Sequence, residues 1–428
     1  MSEGSETLKT AGTAKASTEQ TELARAYQAL LRVSYPWLVV AAFALYWLTY
    51  LALEARNGSS SFGADSILYT AIAYDDIEAR LIRFHPATVA LAVTWMKMLS
   101  PFAAWIAPQH LLAGLFAAIG AAGVWGALSA FEVMVPRRYV LLCGFVYASS
   151  LGVWYFSGIA ESKILTASLS TIYIALYLHL RRQWSWHGAL VLTAVLAAAC
   201  LNEIVSAILV VIPAADAVFR RHIDFGAFKW IAAHSLAPVA LLIVDMAINS
   251  QLGAEPYNAE SGSSVSMFWF YANVSDHSLS SLYGFLLNWF CFNIAAPSPT
   301  ALAAAPIWPT YFGYFEPSFT NYFDDYVSIG LLAVAGIMMV ASLTPGWRDE
   351  RLSSLWVMVP LTAFTLARGA FFFVFNPAEV MLFSSAVTLP NLMLLLAPFA
   401  ASRFPAKLLV IAAFGALLFA NNLRFMTG

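Results

Sequence analysis

Charged residues are scarce in this sequence. Asp, Glu, Lys and Arg make up 11% of its 428 residues, whereas soluble domains carry about 25%. The formal net charge is −2. Basic residues occur only in short clusters between apolar runs, without the continuous basic stripe that is typical of nucleic-acid-binding proteins. We therefore expect no nucleic-acid partner.

Cysteines are few, and repeats are lacking. Cys143, Cys200 and Cys291 stand apart from one another in apolar surroundings. No CxxC or Cys/His spacing joins them, which argues against a disulfide framework or a metal site and favours simple packing. The sequence also shows no repeat period and no glycine-rich phosphate loop, so neither a repeat architecture nor such a loop is indicated.

Apolar residues, by contrast, are abundant. They make up 61% of the chain, and several runs approach or exceed the roughly 20 residues that cross a bilayer as a helix. This predicts an all-α, polytopic integral membrane protein. Residues 1–33 are polar and rich in small residues, which predicts a disordered cytoplasmic N-terminus. We expect the run near Pro36 to Leu53 to be a retained first span and not a signal peptide.

The positions of Lys and Arg predict the topology, because cytoplasmic loops carry the excess of positive charge. If all basic clusters are cytoplasmic, an odd number of crossings must separate His85 from Arg137. Two apolar runs lie between them. We expect the first, Pro86 to Ala107, to lie along the outer face, since it carries Lys97 and two helix-breaking prolines. The second, Leu111 to Val135, then crosses inward.

This pattern predicts about eleven spans in a single transmembrane domain of residues 34–428, with juxtamembrane helices on the outer face. The outer loops are 56–108 and 250–326. The second is long and rich in aromatic residues, which favours a lid over a site at the membrane surface. The predicted spans are residues 36–53, 111–135, 139–157, 163–180, 188–204, 205–219, 229–249, 327–343, 354–375, 379–400 and 407–423.

Ionisable residues gather after the first span, in the stretch GADSILYTAIAYDDIEARLIRFHP. Asp65 precedes an apolar segment with helical spacing and is either a functional carboxylate at head-group level or the N-cap of that helix. Arg80 and Arg83 either hold a lipid phosphate by charge-assisted hydrogen bonds or anchor the chain at the head groups. His85 precedes a proline that opens an apolar helix, and it is either structural or part of a substrate site.

Four further ionisable residues interrupt apolar runs. Glu161 lies where one span ends and the next begins, and it is either functional or simply favoured by the helix macrodipole. Glu203 and Glu379 are wedged between apolar runs on the same predicted side. Arg368 lies inside a predicted span, where ionisable groups are functional candidates by default. It either binds an anionic lipid head group or pairs with Glu379 or an acid of a neighbouring helix.

Three stretches together resemble the GT-C class of membrane glycosyltransferases, and especially its protein O-mannosyltransferase-like members: GADSILYTA, RFHPATVAL and WYFSGIAESKIL. The resemblance extends over residues 36–220. It implies a polyprenyl-phosphate sugar donor and transfer on the extracytoplasmic face of a membrane, here the bacterial inner membrane. It also implies a catalytic carboxylate in the first outer loop, matched by Asp65, and a second outer-face acid, matched by Glu161. HPAT replaces the family's HPPG, and ESKI replaces EVYA.

On this resemblance the acceptor is a glycan, lipid or protein, and Asp65 is its base. Glu161 tunes Asp65 or binds a divalent cation; the sequence indicates no certain cofactor. Two alternatives stay open: a non-catalytic assembly partner with the same fold, and a transporter or lipid flippase. The sequence shows no internal symmetry of the kind that transporters usually have. The residues expected to bind substrate are Arg80, Arg83, His85, Glu203, Arg368 and Glu379.

Overall fold

The computed structural model describes residues 34–55, 66–74, 85–159, 161–220, 225–251, 272–273, 277–297, 322–343, 356–377 and 380–427. Their regular secondary structure is helical, and no strand occurs among them. The α-helices are α1 (Ser34–Ala55), α2 (Ser66–Ile72), α3 (Pro86–Leu99), α4 (Pro108–Met134), α5 (Arg137–Ser149), α6 (Leu151–Ser157), α7 (Lys163–Arg182), α8 (Trp186–Asn202), α9 (Val211–Arg220), α10 (Phe225–Gln251), α11 (Leu279–Leu287), α12 (Tyr326–Ser342), α13 (Met358–Phe375), α14 (Val380–Ser384), α15 (Thr388–Ala401) and α16 (Lys407–Thr427).

Six helical segments among the described residues are long and apolar enough to cross a bilayer. The pair α5 and α6, bent by 59°, makes a seventh if it forms one span. The prediction of an all-α chain with several membrane-spanning helices is therefore confirmed. The six segments are α1, α4, α7, α13, the run from α14 to α15, and α16.

The predicted count of eleven spans exceeds the number that the described residues show. Two predicted spans correspond to α8 and α12, which have 17 residues each. At 1.5 Å per residue such a helix is about 26 Å long, less than the roughly 30 Å of a hydrocarbon core. The predicted span 205–219 divides into a 3₁₀-helix, Ile204–Val210, and α9. Short and broken helices therefore account for three of the missing spans; a fourth predicted span, 229–249, lies in α10, a helix of 27 residues that contains Pro238 and is not among the candidate spans.

The charge pattern predicts that the run from Pro86 to Ala107 does not cross the bilayer, and this run contains α3. This helix has 14 residues, or about 21 Å at the usual rise, and a short 3₁₀ turn follows it at Ser100–Phe102. It is too short for a crossing. The next helix, α4, has 27 residues and is among the candidate spans.

Helices α4 and α7 pack side by side in the same direction. Ser168 Oγ donates a hydrogen bond to the carbonyl of Ile119 at 2.8 Å, and near the other end Arg182 Nη2 donates to the carbonyl of Val133 at 2.7 Å. Glycine makes this approach possible, since a Cβ at Gly123 would lie only 2.6 Å from Ser168 Oγ. Small residues are what close helix packing in membranes requires.

The next helix, α8, returns antiparallel to α7, because Asn202 at its C-terminus donates to the carbonyl of Ser162. The opposite end carries an ion pair between Arg181 and Asp216 at 2.9 Å. We call the first end, with residues 161–162 and 202–203, the Glu161 end, and the second the Arg182 end. The arginines of α7 thus lie at the opposite end from the two acidic corners.

The bend between α5 and α6 lies at Ser150, and other parts of the chain satisfy its backbone. The Leu151 N–H donates to the carbonyl of Ile294 at 3.0 Å. The carbonyl of Ser149 accepts a hydrogen bond from Asn422 Nδ2 on α16 at 2.7 Å. Within a bilayer such groups need partners inside the protein, and these contacts supply them.

Candidate functional site

Asn202 connects three elements at the Glu161 end. Its backbone carbonyl lies 2.9 Å from Nδ1 of His85, and its side-chain oxygen accepts a hydrogen bond from Thr88 of α3 at 2.5 Å. Its side-chain nitrogen donates to the carbonyl of Ser162 at 3.2 Å and to Thr166 Oγ1 at 2.9 Å. Because a carbonyl only accepts, Nδ1 of His85 carries the hydrogen. The buried amide thus fixes α3 against the start of α7.

A buried ion pair lies beside this amide. Glu203 has extended backbone angles, φ −153° and ψ 109°, which end α8, and Arg368 projects from α13. Arg368 is 0% exposed and Glu203 9% exposed. Arg368 Nη2 donates to Glu203 Oε1 at 3.1 Å, and its Nε donates to the carbonyl of Phe383 at 3.3 Å. Glu203 Oε2 and Arg368 Nη1 are buried without a hydrogen-bond partner in the part of the chain that the structure describes.

Lys163, at the start of α7, is a second buried cation of the site. Its ammonium nitrogen lies 4.7 Å from the ring centroid of Phe383, and the guanidinium carbon of Arg368 lies 4.9 Å from that of Phe372. The two rings stack with their centroids 4.1 Å apart. Since a cation is attracted to the face of an aromatic ring, one stacked pair holds both cations.

The surrounding charge keeps Glu203 ionised. Burial alone would raise the pKa of its carboxyl group, but Arg368, Lys163, His85 and a hydrogen bond with Thr166 outweigh burial and lower that pKa below its ordinary value. The site therefore contains a carboxylate at neutral pH. Glu203 is not part of any of the six candidate membrane spans.

Glu161 is the second acid of this end of the molecule. It is buried in the corner between α6 and α7, where its N–H donates to the carbonyl of Ile159 at 2.9 Å. Its Oε1 accepts a hydrogen bond from Ser162 Oγ at 3.0 Å. The corner brings Glu161 within two residues of the N-terminus of α7, whose macrodipole favours a negative charge.

Two irregular helices flank the part of α13 that carries Arg368. The 3₁₀-helix Ile204–Val210 packs against α13 and has seven residues, whereas such runs seldom exceed about four. The π-helix Asn288–Phe292 brings Trp289 against Gly369, where a Cβ would lie 3.1 Å from the indole nitrogen. Helix irregularities of this kind occur frequently at functional sites.

Four predicted site residues fall within the described chain, and all four are buried at or near this cluster. Of the alternatives for Arg368, the structure shows a pair with an acid, and that acid is Glu203, at the end of α8. The other four predicted residues lie outside the described residues. The first group is His85, Glu161, Glu203 and Arg368; the second is Asp65, Arg80, Arg83 and Glu379.

Sequence reasoning missed two members of the cluster. Lys163 stands two residues after Glu161, and Asn202 immediately precedes Glu203. Both lie in corners between apolar helices. A polar residue close to a predicted acid in such a corner was the feature that could have identified them as site residues. Their roles depend on contacts with α14 and α3, which the sequence does not reveal.

A bound divalent cation would need several oxygen ligands. Among the residues that the structure describes, no group of three or more His, Cys, Asp or Glu side chains is arranged to hold a metal ion. The described part of the site instead combines two buried acids, Glu161 and Glu203, with two buried cations, Lys163 and Arg368.

No protein-family model matches this chain, and no curated protein matches it. Its functional interpretation depends on the residues of the site.

Proposed function

We propose that this chain is a membrane glycosyltransferase of the GT-C type, which transfers a sugar from a polyprenyl-phosphate-linked donor to a glycan, lipid or protein acceptor. One observation carries the proposal: two acids and two cations are buried together at the Glu161 end, beside apolar helices. A lipid-linked anionic donor needs such cations for its phosphate, and an acceptor hydroxyl needs a carboxylate to take its proton.

In the proposed reaction the acceptor oxygen attacks the anomeric carbon of the donor sugar. The bond between that carbon and the phosphate oxygen breaks, and its electron pair leaves with the polyprenyl phosphate. The acceptor proton passes to the carboxylate of Asp65, the proposed base. Arg368 and Lys163 stabilise the charge that develops on the leaving phosphate, while Glu161 orients or tunes the base. The anomeric configuration is inverted.

The neighbourhood of His85 supports a place for Asp65 in this site. Asp65 immediately precedes α2 in sequence, and Tyr69 lies one helical turn further on. The ring centroid of Tyr69 lies 6.4 Å from that of His85, and α2 packs against α3. In the proposal, Arg80, Arg83 and Glu379 complete the binding of donor and acceptor from the same side.

The membrane arrangement is part of the proposal: about eleven spans in the bacterial inner membrane, with the Glu161 end on the outer face. Arg181 at the opposite end supports this orientation, because positive charge marks the cytoplasmic side. Polyprenyl donors keep their sugar at the membrane surface, so a site at one end of the bundle suits them.

The test is transfer of sugar by purified chain in nanodiscs. Asp65→Asn removes the proposed base with little change in shape, and we expect transfer to fall by about 100-fold or more, the usual loss when a general base is removed. The matched control is Asp76→Asn, the same chemical change in the same loop, which should retain transfer within about twofold. Equal transfer by the two variants would exclude Asp65 as the base.

A second candidate function, a lipid transporter, is favoured by the bend at Ser150. Transporters bind their substrates at interrupted helices, and α5 and α6 form such a pair. Flipping of labelled polyprenyl phosphate between the leaflets of vesicles, without sugar transfer, would support the transporter. A chain that neither flips lipid nor transfers sugar would match the non-catalytic assembly partner.

A further inference from the structure

The ion pair between Glu203 and Arg368 uses only part of the hydrogen-bonding capacity of its two groups. A carboxylate and a guanidinium can form two parallel hydrogen bonds, but this pair forms one, at 3.1 Å. Glu203 Oε2 and Arg368 Nη1 stay buried without hydrogen-bond partners among the described residues. Unmade bonds of buried groups are costly, so one acceptor of Glu203 and one donor of Arg368 are available to a polar ligand.

Two hydroxyl groups, each about one helical turn from a member of the ion pair, also lack hydrogen-bond partners among the described residues. Ser206 lies one turn after Glu203 on the 3₁₀-helix, and Thr365 lies one turn before Arg368 on α13. Both are fully buried, and neither hydroxyl oxygen has a hydrogen-bond partner within the described ranges. The interface between the two helices thus contains several donors and acceptors that a polar ligand would satisfy.

Glu203 lies in the corner between α8 and a 3₁₀-helix, where its N–H donates to the carbonyl of Ala199 and its carbonyl accepts from the N–H of Ser206, both at 2.8 Å. This 3₁₀-helix has seven residues and poorer hydrogen-bond geometry than an α-helix. The backbone of Glu203 itself is extended. Arg368, by contrast, is held on an α-helix of 18 residues, with its Nε bonded to Phe383. Separation of the pair would therefore rotate the Glu203 side chain about a held backbone and leave the arginine in place.

We propose that Glu203 is an internal competitor for the anion site of Arg368, displaced when the phosphate of a polyprenyl lipid binds. The inference rests on the proposed function, which supplies the phosphate. A phosphate oxygen takes the place of Oε1 on Nη2, and a second oxygen accepts from Nη1. The carboxylate returns to Arg368 as the polyprenyl phosphate leaves. Glu203 thereby prevents this product, which carries more charge than the donor, from occupying the site for long.

The test measures the affinity of the full chain in nanodiscs for farnesyl phosphate, a short polyprenyl monophosphate. Glu203→Gln removes the competing charge, and we expect about tenfold tighter binding, which corresponds to about 1.4 kcal/mol. Arg368→Gln should weaken binding at least as much. Farnesol, which has no phosphate, should bind the wild type and Glu203→Gln equally.

A second variant separates direct competition from the loss of a nearby negative charge, and also covers a Glu203→Gln chain that fails to fold. Glu203→Asp keeps the charge but shortens its reach by one methylene. Direct competition predicts tighter binding than in the wild type, whereas a purely through-space effect predicts no change. The matched control is Asp216→Asn in the pair of Arg181 and Asp216 at the Arg182 end, and the affinity of this variant should not change.

The outcomes distinguish this inference from the function on which it rests. If the wild type binds farnesyl phosphate and Glu203→Asp binds it no more tightly, the competitor role is wrong while the proposed function stands. If the wild type and all variants bind none, the donor class is wrong, and both proposals fall. Tighter binding by both Glu203 variants, with Asp216→Asn unchanged, supports the competitor.

Discussion

Arg368 is completely buried, yet only Nε and Nη2 of its three guanidinium nitrogens have hydrogen-bond partners in the described chain. The cation is instead surrounded by weaker contacts, including the face of Phe372. A charge in such a place is tolerated only while its counter-ion is present. The carboxylate of Glu203 therefore determines whether Arg368 can remain inside the bundle.

This dependence predicts an asymmetry between single and double variants. Arg368→Leu leaves the Glu203 carboxylate buried and uncompensated, and we expect unfolding free energy to fall by about 3–5 kcal/mol. Arg368→Leu combined with Glu203→Leu should recover most of that loss. The measurement is reversible unfolding in detergent, followed by tryptophan fluorescence. If the double variant loses as much unfolding free energy as the two single variants added together, the two residues do not act as a pair.

A matched control for this experiment is Arg424→Leu. Arg424 forms an ion pair with Asp325 at 2.8 Å, but its side chain is 43% exposed. Exposed pairs contribute at most about 1 kcal/mol. A large loss in this control would indicate that any removal of arginine destabilises the chain.

The sequence was enough to identify individual site residues, but not the residues with which they pair. An arginine within an apolar helix must be compensated, so Arg368 was conspicuous without any structure. Its partner lies 165 positions away, and no local pattern points to Glu203 in preference to Glu379. Lys163 was missed because its neighbours, the face of Phe383 and the charge of Glu203, come from distant parts of the chain, and a phenylalanine in an apolar run is unremarkable.

Among the helices, α12 shows how one residue fixes an end. Asp325 is its N-cap: Oδ1 accepts from the N–H groups of Val327 at 2.8 Å and Ser328 at 3.1 Å. Arg424 of α16 donates to the same oxygen at 2.8 Å. The cap thus joins the start of α12 to the last turns of α16.

Asp325→Ala should lower the unfolding free energy by about 1–2 kcal/mol at neutral pH, the usual cost of a lost cap. Burial alone would raise the pKa of Asp325, but its hydrogen bonds with Arg424, Ser328 and Val327 lower it. A lowered folded-state pKa means that the contribution is complete above the unfolded value, about 3.9, and is lost as pH falls through the folded value. The difference between the wild type and Asp325→Ala should therefore shrink below about pH 4.

Thermal unfolding at several pH values measures this difference, with Asp324→Ala as the matched control. Asp324 is exposed and adjacent, so its removal should change stability little at any pH. A difference for Asp325→Ala that persists undiminished at the lowest pH would contradict the role of its ionised form.

Helix breaks explain where sequence reasoning fails at this scale. The residues from 139 to 157 read as one uninterrupted apolar run, and nothing local marks Ser150 as a bend. The bend exists because Ile294 and Asn422 satisfy the exposed backbone. A seven-residue 3₁₀-helix after Glu203 is equally invisible, because its residues suit an α-helix just as well.

For the whole molecule, the separation of acids and arginines predicts two different aqueous faces. Tyr326→Cys places a thiol at a position that is 93% exposed, beside the C-terminal turns of α16. Gln183→Cys places one at an exposed position after α7, at the Arg182 end. In intact cells, an impermeant thiol reagent should label the first and not the second.

These tests use a background in which the three native cysteines are replaced. A permeant reagent should label both positions and so confirm that both thiols are accessible. Labelling of Gln183→Cys but not Tyr326→Cys from outside would mean that the orientation is the reverse of the one proposed. Labelling of both from outside would show that residues 183 and 326 share one side of the membrane.

Composition predicted the class of the whole molecule, because long apolar runs form helices that satisfy their own backbone hydrogen bonds in lipid. The number of spans was harder to predict from the sequence. Length decides whether a helix crosses, and 17-residue helices such as α8 and α12 cannot be distinguished from longer ones by an apolar run alone. The charge pattern did single out the segment around α3 as one that does not cross, and this helix has only 14 residues.

The bend at Ser150 also imposes an order on biosynthesis. Asn422, which satisfies the Ser149 carbonyl, leaves the ribosome 273 residues later than its partner. Before that moment a bent α5–α6 segment would hold an unpaired carbonyl in lipid, at a cost of several kcal/mol. A straight helix satisfies its own backbone, so the nascent segment is more stable straight. We therefore expect the kink to form only once α16 has inserted, so that a later helix reshapes one that entered the membrane before it.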